Sequence, residues 1–307
     1  MLTGSGAPAL RAVARAVVRA AGVLAGTAVV VFAATATLPA DAIAVRAGGR
    51  VDPAELDGLR AAAGLDRPLP ERFLRWAGGL LTGDPGRSLV TGREVAEVVA
   101  ERAGTTTALV LASLAVAAPV AAVLAHRRGA APAAIGSAVP PVVTAIGLAT
   151  LLAGVLHWVP PVSLLPVGAS AWTRPDLLVL PVLALALPTG AYAAGQLRGA
   201  VEDVAARPFV HDAVLRGVPR HVVALRYVGP FVAAPALRVL AVTAGGLIAG
   251  STIVETLFGI AGLGELLVGA VATRDVPVVS AVALLAAAVV VAGTLLADVV
   301  AALVARR

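Results

Sequence analysis

The chain has 307 residues, of which 59% are hydrophobic and only 14% charged, with a formal net charge of +6 and no cysteine. That apolar share exceeds what a soluble core needs and places the chain in a bilayer. The missing cysteine excludes disulfides, thiolate nucleophiles and cysteine-ligated metals, and the positive charge is scattered at the ends of apolar stretches instead of forming one face, which argues against nucleic acid as a partner.

Six stretches each supply an apolar helix of roughly 20 residues, the length that crosses about 30 Å of hydrocarbon: 20–38, 103–125, 132–156, 177–197, 239–257 and 276–297. They predict an all-α polytopic membrane protein with a leading segment 1–19, a long loop 39–102, a membrane domain 103–297 containing the loop 198–238, and a tail 298–307. The first span reads as a retained anchor, because Ala36-Thr-Leu-Pro-Ala40 is a poor cleavage site and the apolar run is long. Every one of the 24 basic residues is arginine. Thirteen fall at 1–19, 127–128, 198–238 and 306–307, and only Arg174 and Arg274 occupy the two short loops of opposite side. Cationic loops stay in the cytosol, so both termini and the loop 198–238 are expected there. The nine arginines within 39–102 are offset by ten acids in an outer segment too long for that rule to govern.

The outer loop has the punctuation of helices. Asp52 precedes Pro53 and Glu55 in a capping pattern that Gly64 ends. Between Asp66 and Asp84, the residues Phe73, Leu74, Trp76, Ala77, Leu80 and Leu81 fall mostly on one side at helical spacing, and Trp76 suits a membrane interface. After the Asp84-Pro85-Gly86 turn, Thr91 and Glu94 are spaced as a second capping box leading into the second span. This loop reads either as an outer platform for a delivery protein or lateral lid, or as a cap over the other loops. Within the spans, Pro119, Pro140-Pro141, Pro181 and Pro188 interrupt the backbone ladder and mark candidate hinges.

In the loop 198–238, Pro208 suits a first helical turn, Gly217 a left-handed cap, and Pro219 blocks continuation. The result is a rod of roughly 12 Å. Ala213 is small enough for close approach, Phe209 could fill a partner's pocket, and His211, Asp212 and Arg216 could fix a register. A loop helix packed on its own membrane domain is the other reading of the same spacing. Further on, Gly246 and Gly250 form a small-xxx-small face suited to packing or to contact with a second subunit, the reading favoured here. Glu255 comes roughly 24 Å along a helix from Val239, near the outer surface, as a gate or interface carboxylate together with Gly262, Gly264, Arg274 and Asp275. Asp298 falls near the inner surface, solvated or paired with arginine.

Without lysine no G-x-x-x-x-G-K-[ST] phosphate loop exists, and HExxH and G-x-S-x-G are absent, so no ATPase or familiar hydrolase is encoded. His126, His157, His211 and His221 are too dispersed for a metal cluster, and no metal site is expected.

The chain resembles, over nearly its whole length, the permease subunits of ATP-binding-cassette importers of the dipeptide/oligopeptide/nickel group, and more the first of their two paired permeases. The resemblance rests on Leu38-Pro39-Ala-Asp41, Gly64-Leu-Asp-Arg-Pro-Leu-Pro70, Phe73-Leu-Arg-Trp76, Gly83-Asp84-Pro-Gly86-Arg-Ser88 and Thr91-Gly-Arg-Glu-Val-Ala-Glu97, then on Ala213 with Gly217, Arg226, Pro235, Glu255-Thr-Leu-Phe258, Gly262-Leu-Gly264 and Arg274-Asp-Val-Pro277. It implies a type I importer permease fold in a bacterial cytoplasmic membrane. It also implies a homologous second permease, two cytosolic ATPases that bind ATP and magnesium, an extracytoplasmic binding protein, and a coupling helix in which Ala213 and Gly217 match the family's alanine and glycine. The family loop often starts Glu-Ala-Ala where this chain has His211-Asp212-Ala213, and Arg238 stands where a neutral residue is usual. No cofactor is expected on this chain itself. Peptide is the first expectation for the substrate and nickel or another small solute the alternative. A gradient-driven transporter or channel is disfavoured by the lack of ionisable residues in mid-span, and a membrane enzyme by the lack of a catalytic constellation.

Overall fold

The computed structural model describes residues 7–36, 52–62, 64, 66–126, 131–164 and 173–304. The Leu38-Pro39-Ala-Asp41 motif and the arginines at 127, 128, 306 and 307 lie outside the described residues. The described chain is helical: α1 (Ala7–Ala36), α2 (Pro53–Ala62), α3 (Leu69–Leu81), α4 (Val95–His126), α5 (Ala131–Ala138), α6 (Pro141–Leu148), α7 (Pro175–Ala205), α8 (Pro208–Leu215), α9 (Gly229–Phe258), α10 (Leu263–Thr273) and α11 (Val276–Val304). Among the described residues five helices are long and apolar enough to cross a bilayer, or six if one bent pair counts as a single span.

That pair is the expected third span. Residues 132–156 do not form one straight rod: α5 and α6 meet at 90°, and α6 runs on into a π-helical turn, Ala149–Val155. Pro140 takes an extended conformation and Pro141 opens the second half, so the double proline breaks the ladder and re-aims the chain. The other spans are longer than hydropathy alone suggests. α7 continues eight residues beyond 197, and α9 is the main part of a helix that runs unbroken from Arg220 through a π-helical stretch, Val223–Val228, to Phe258, so only 206–219 stands clear of the long helices.

α7 is the central stave, packed against α4, α5, α6 and α9, whereas α1 lies at the periphery against α11. Leu109 of α4, Leu180 and Leu185 of α7, and Leu247, Val254 and Phe258 of α9 meet in the main core. Lipid is as apolar as leucine, so such burial gives helices little drive to associate, and close approach and polar contacts carry more weight. A Cβ on Gly190 would lie 2.8 Å from the Ala117 carbonyl oxygen, and one on Gly136 2.8 Å from the Ala191 methyl carbon. The α9–α11 seam uses Gly245 against Val290 and Gly293 against Ala241.

At one end, α2 and α3 are the short helices expected from the punctuation, and they make up the outer platform or cap. The Asp52 carboxylate accepts from the Ala54 amide, and Gly64 is left-handed at φ +67°. α3 is amphipathic and clasps α1 through Phe73 and Trp76, whose rings lie 5.4 Å from Phe32. Hydrogen bonds from Arg67 and Arg75 hold the Glu71 carboxyl below the ordinary carboxylate range, the Arg67 bond contributing most. The Thr91/Glu94 capping box does not form. α4 begins at Val95, Glu94 turns back to pair with Arg87 at 3.1 Å, and Ser88 closes the turn by accepting from the Thr91 amide.

Candidate functional site

At the end away from the platform, α7 stops at Ala205 and the chain reverses through α8. Pro208 is at its first position, and its far end is closed by a Schellman motif: the Val218 amide donates to the Ala213 carbonyl at 3.1 Å, the Gly217 amide to the Val214 carbonyl at 3.0 Å, with Gly217 at φ +73°. The helix is fixed to the bundle by Val210 and Ala213, both buried against Val204 and Val223. What it offers outward is His211, Asp212, Val214, Leu215, Arg216 and Gly217, with Leu215 72% exposed.

Two sequence expectations are corrected here. Ala213 does not line an outward contact: it is 4% exposed and serves the helix's own anchorage. Phe209 is half-buried with its ring 5.2 Å from that of Phe231, over which the Arg207 guanidinium sits at 5.5 Å, so it is not free to fill a partner's pocket. Val214 and Leu215 are the outward apolar groups that sequence reasoning missed. Eight residues with apolar side chains at five positions leave no single face legible, and Leu225, also 74% exposed nearby in sequence, adds to the same region's apolar surface.

Below the platform lies a second constellation. The Glu255 carboxylate is fully buried and accepts from Thr106 Oγ1 of α4 at 2.8 Å, from the Gly264 amide at 2.7 Å and from the Glu265 amide at 3.2 Å. Thr106 Oγ1 in turn accepts from the Leu263 amide at 2.7 Å. Leu263, Gly264 and Glu265 are the first three residues of α10, so a carboxylate and a hydroxyl from two other helices satisfy the donors that a helix start leaves open. Gly262 and Gly264 are required by this closeness: a Cβ on the first would run into the Glu255 carboxylate, and one on the second into the Thr252 backbone. Glu255 was expected as a gate or interface carboxylate near the outer bilayer surface; within this chain its carboxylate is buried and ties α4, α9 and α10 together. Thr106 was not anticipated, and its only signal is a hydroxyl run, Thr105–Thr107, in an otherwise apolar span.

The remaining expected residues divide between these regions. Asp275 is 4% exposed and accepts from Ser88 Oγ and, at 3.1 Å, from the Leu89 amide, which fastens the platform turn to the start of α11. Arg274 closes α10 in a left-handed conformation at φ +59°. Gly250 packs within the chain, a Cβ there lying 3.1 Å from Leu185 Cδ2, while Gly246 has nothing within 4 Å. Asp84 accepts from the Gly86 amide at 2.8 Å and Asp66 is exposed. At the α8 end, Asp298 takes the arginine-paired alternative, accepting from Arg19 of α1 and, at 2.6 Å, from Arg238 of α9.

A multi-pass helical bundle with a capped, outward-facing loop helix at one end and a structured platform at the other defines a membrane transport subunit. The chain belongs to the family of inner membrane components of binding-protein-dependent transport systems, which matches residues 131–307, and residues 9–110 match the N-terminal membrane component of the same systems. The resemblance to ABC importer permeases drawn from the motifs therefore holds. A Brucella ovis protein named as a peptide permease is 32% identical over 260 residues, covering 80% of this chain and 81% of the relative. The glutathione transport system permease protein of Pectobacterium atrosepticum is 31% identical, covering 84% and 85%. A Brucella abortus protein named as a permease of a peptide transport system is 29% identical, covering 92% and 94%.

Proposed function

We propose that this chain is one of two paired permeases of an ATP-driven importer that carries di- or oligopeptides across a bacterial cytoplasmic membrane. The observation that carries the coupling reading is α8: its buried side is spent on Val204 and Val223, and its free side presents Val214 and Leu215 among His211, Asp212 and Arg216. An exposed apolar pair ringed by polar groups is the composition of a protein contact surface. The distribution of arginines supports a cytosolic position for that end, where an ATPase groove would receive it. Two ATPase subunits supply ATP and magnesium binding, since this chain has no lysine for a phosphate loop. Movement of α8 would then rock α7 and α9, which it joins, and expose the pore between the two permeases to either side in turn. The platform end faces outward, towards the binding protein that delivers substrate. Peptide as cargo is supported by the names of the relatives, and glutathione, itself a tripeptide, falls within the same class.

The test is uptake of labelled dipeptide and glutathione into proteoliposomes holding both permeases, both ATPases and the binding protein. Uptake should require ATP and all components. Uptake driven by a proton or sodium gradient with no ATPase present would refute this function.

A further inference from the structure

Arg19, Arg238 and Asp298 stand at one level of the bundle. Each lies immediately outside one of the apolar stretches 20–38, 239–257 and 276–297, so the three mark where hydrocarbon ends on the α8 side. The half-buried Asp298 carboxylate accepts from both guanidiniums, from Arg238 at 2.6 Å, and both arginines are exposed. Two guanidinium forks carry more donors than one carboxylate can accept, and one positive charge is left unbalanced. Arg15 adds another one turn earlier on α1, a helix with no acidic residue. Exposed apolar side chains stand within two residues of the cluster on each helix: Val18, Leu240 and Leu296.

Arg238 also lines a groove of about 670 Å³ between α7, α9 and the end of α11. The groove straddles the same boundary. Val239 and Val242 line it on the hydrocarbon side, with the neutral Tyr192 and Gln196 of α7, and Asp203 and Arg207 line it on the aqueous side. Asp203 and Arg207 offset one another in charge, so the excess stays with Arg19 and Arg238.

We propose that this corner binds one anionic phospholipid of the adjoining leaflet, its phosphate shared by Arg19 and Arg238 and one acyl chain running from Arg238 into the groove past Val239 and Val242. Guanidinium forks pair with phosphate oxygens through charge-assisted hydrogen bonds, and basic residues at a bilayer surface favour anionic lipid by about fivefold each. A groove charged at one end and apolar at the other along the membrane normal matches an amphiphile, whereas a free phosphate has no use for the apolar half. A zwitterionic headgroup cancels its own phosphate and gains less from the excess charge. Arg19 belongs to α1, which packs along α11, and Arg238 to α9, so the bound lipid fastens the peripheral helix to the bundle. The site requires the bilayer and is independent of the cargo and of the ATPase subunits.

The experiment titrates the full chain, purified in detergent, with dioleoyl phosphatidylglycerol, dioleoyl phosphatidylcholine or inorganic phosphate, and counts bound lipid by native mass spectrometry. Wild type should retain one phosphatidylglycerol and hold it about fivefold more tightly than phosphatidylcholine, with the preference shrinking as salt is added. Arg19→Gln and Arg238→Gln should each weaken phosphatidylglycerol about fivefold. Asp298→Asn removes the competing acceptor and should tighten binding, a gain that misfolding cannot produce. Val242→Phe fills the groove without altering charge and should weaken binding. Equal retention of the two lipids, equal affinity in wild type and Arg238→Gln, or Asp298→Asn binding no more tightly than wild type overturns the site. Displacement of the lipid by inorganic phosphate overturns it as well and assigns the arginines to a free anion. Unchanged affinity in Val242→Phe overturns the seating of the chain in the groove.

Discussion

Thr106 donates its hydroxyl to the Glu255 carboxylate at 2.8 Å across 149 residues of sequence, and the same hydroxyl oxygen accepts the first amide of α10. One contact thus joins three helices, and the polar groups it satisfies are all buried.

Replacing Glu255 with alanine strands the Gly264 and Glu265 amides and the Thr106 hydroxyl, at a cost of about 1–3 kcal/mol for each buried group left unpaired. We expect Glu255→Ala to lower the thermal unfolding temperature of the purified permease markedly, and Glu255→Gln, which retains an acceptor, to lower it less. Equal stability of Glu255→Ala and wild type would show that the latch does not hold.

Gly264→Ala places a methyl group into the Thr252 backbone, which cannot move aside without parting α9 from α10. Gly246→Ala meets open space. The first should therefore impair folding of the chain by itself, measured by detergent-resistant monomer after solubilisation, and the second should leave it intact. If Gly246→Ala nevertheless abolishes uptake in the assembled transporter, Gly246 faces the second permease.

Gly217 sits at φ +73°, where a non-glycine residue costs roughly 1–2 kcal/mol and a β-branched one more. Gly217→Val should insert and assemble yet uncouple hydrolysis from uptake, because the Schellman cap that sets the end of α8 is lost. Unchanged uptake per ATP hydrolysed would remove α8 from the coupling role.

Leu215 and Phe209 should separate surface from support. Leu215→Asp alters a side chain that is 72% exposed, so it should leave permease stability alone and reduce co-purification of the ATPase subunits. Phe209→Ala removes the ring packed on Phe231 and should destabilise the chain itself. The reverse pattern would contradict the assigned faces.

The parts of this fold written in local chemistry were the legible ones. Pro53 and Gly64 bound α2, the amphipathic run 69–81 is α3, and Pro208 with Gly217 brackets α8, because each signal acts within one helical turn. Pro140-Pro141 marked the interruption within 132–156 but not its size, since a proline pair announces a break and not an angle of 90°. Counting rise along a helix put Glu255 near the outer bilayer surface, which gives depth and says nothing of the direction a side chain faces. Its donors lie in α4 and α10, and only tertiary structure brings them to it. The Thr91/Glu94 motif failed for a related reason: Arg87, across the turn, claimed the carboxylate first.

α1 is peripheral yet pinned twice, to Asp298 through Arg19 and to Phe73 and Trp76 through Phe32. The same helix therefore touches both ends of the bundle: Arg19 at the α8 end and Phe32 at the platform, with its flank lying along α11 between them. Asp298→Asn or Phe32→Ala should loosen one end of α1 alone and leave the core of α4, α7 and α9 intact, read as faster hydrogen exchange confined to that end.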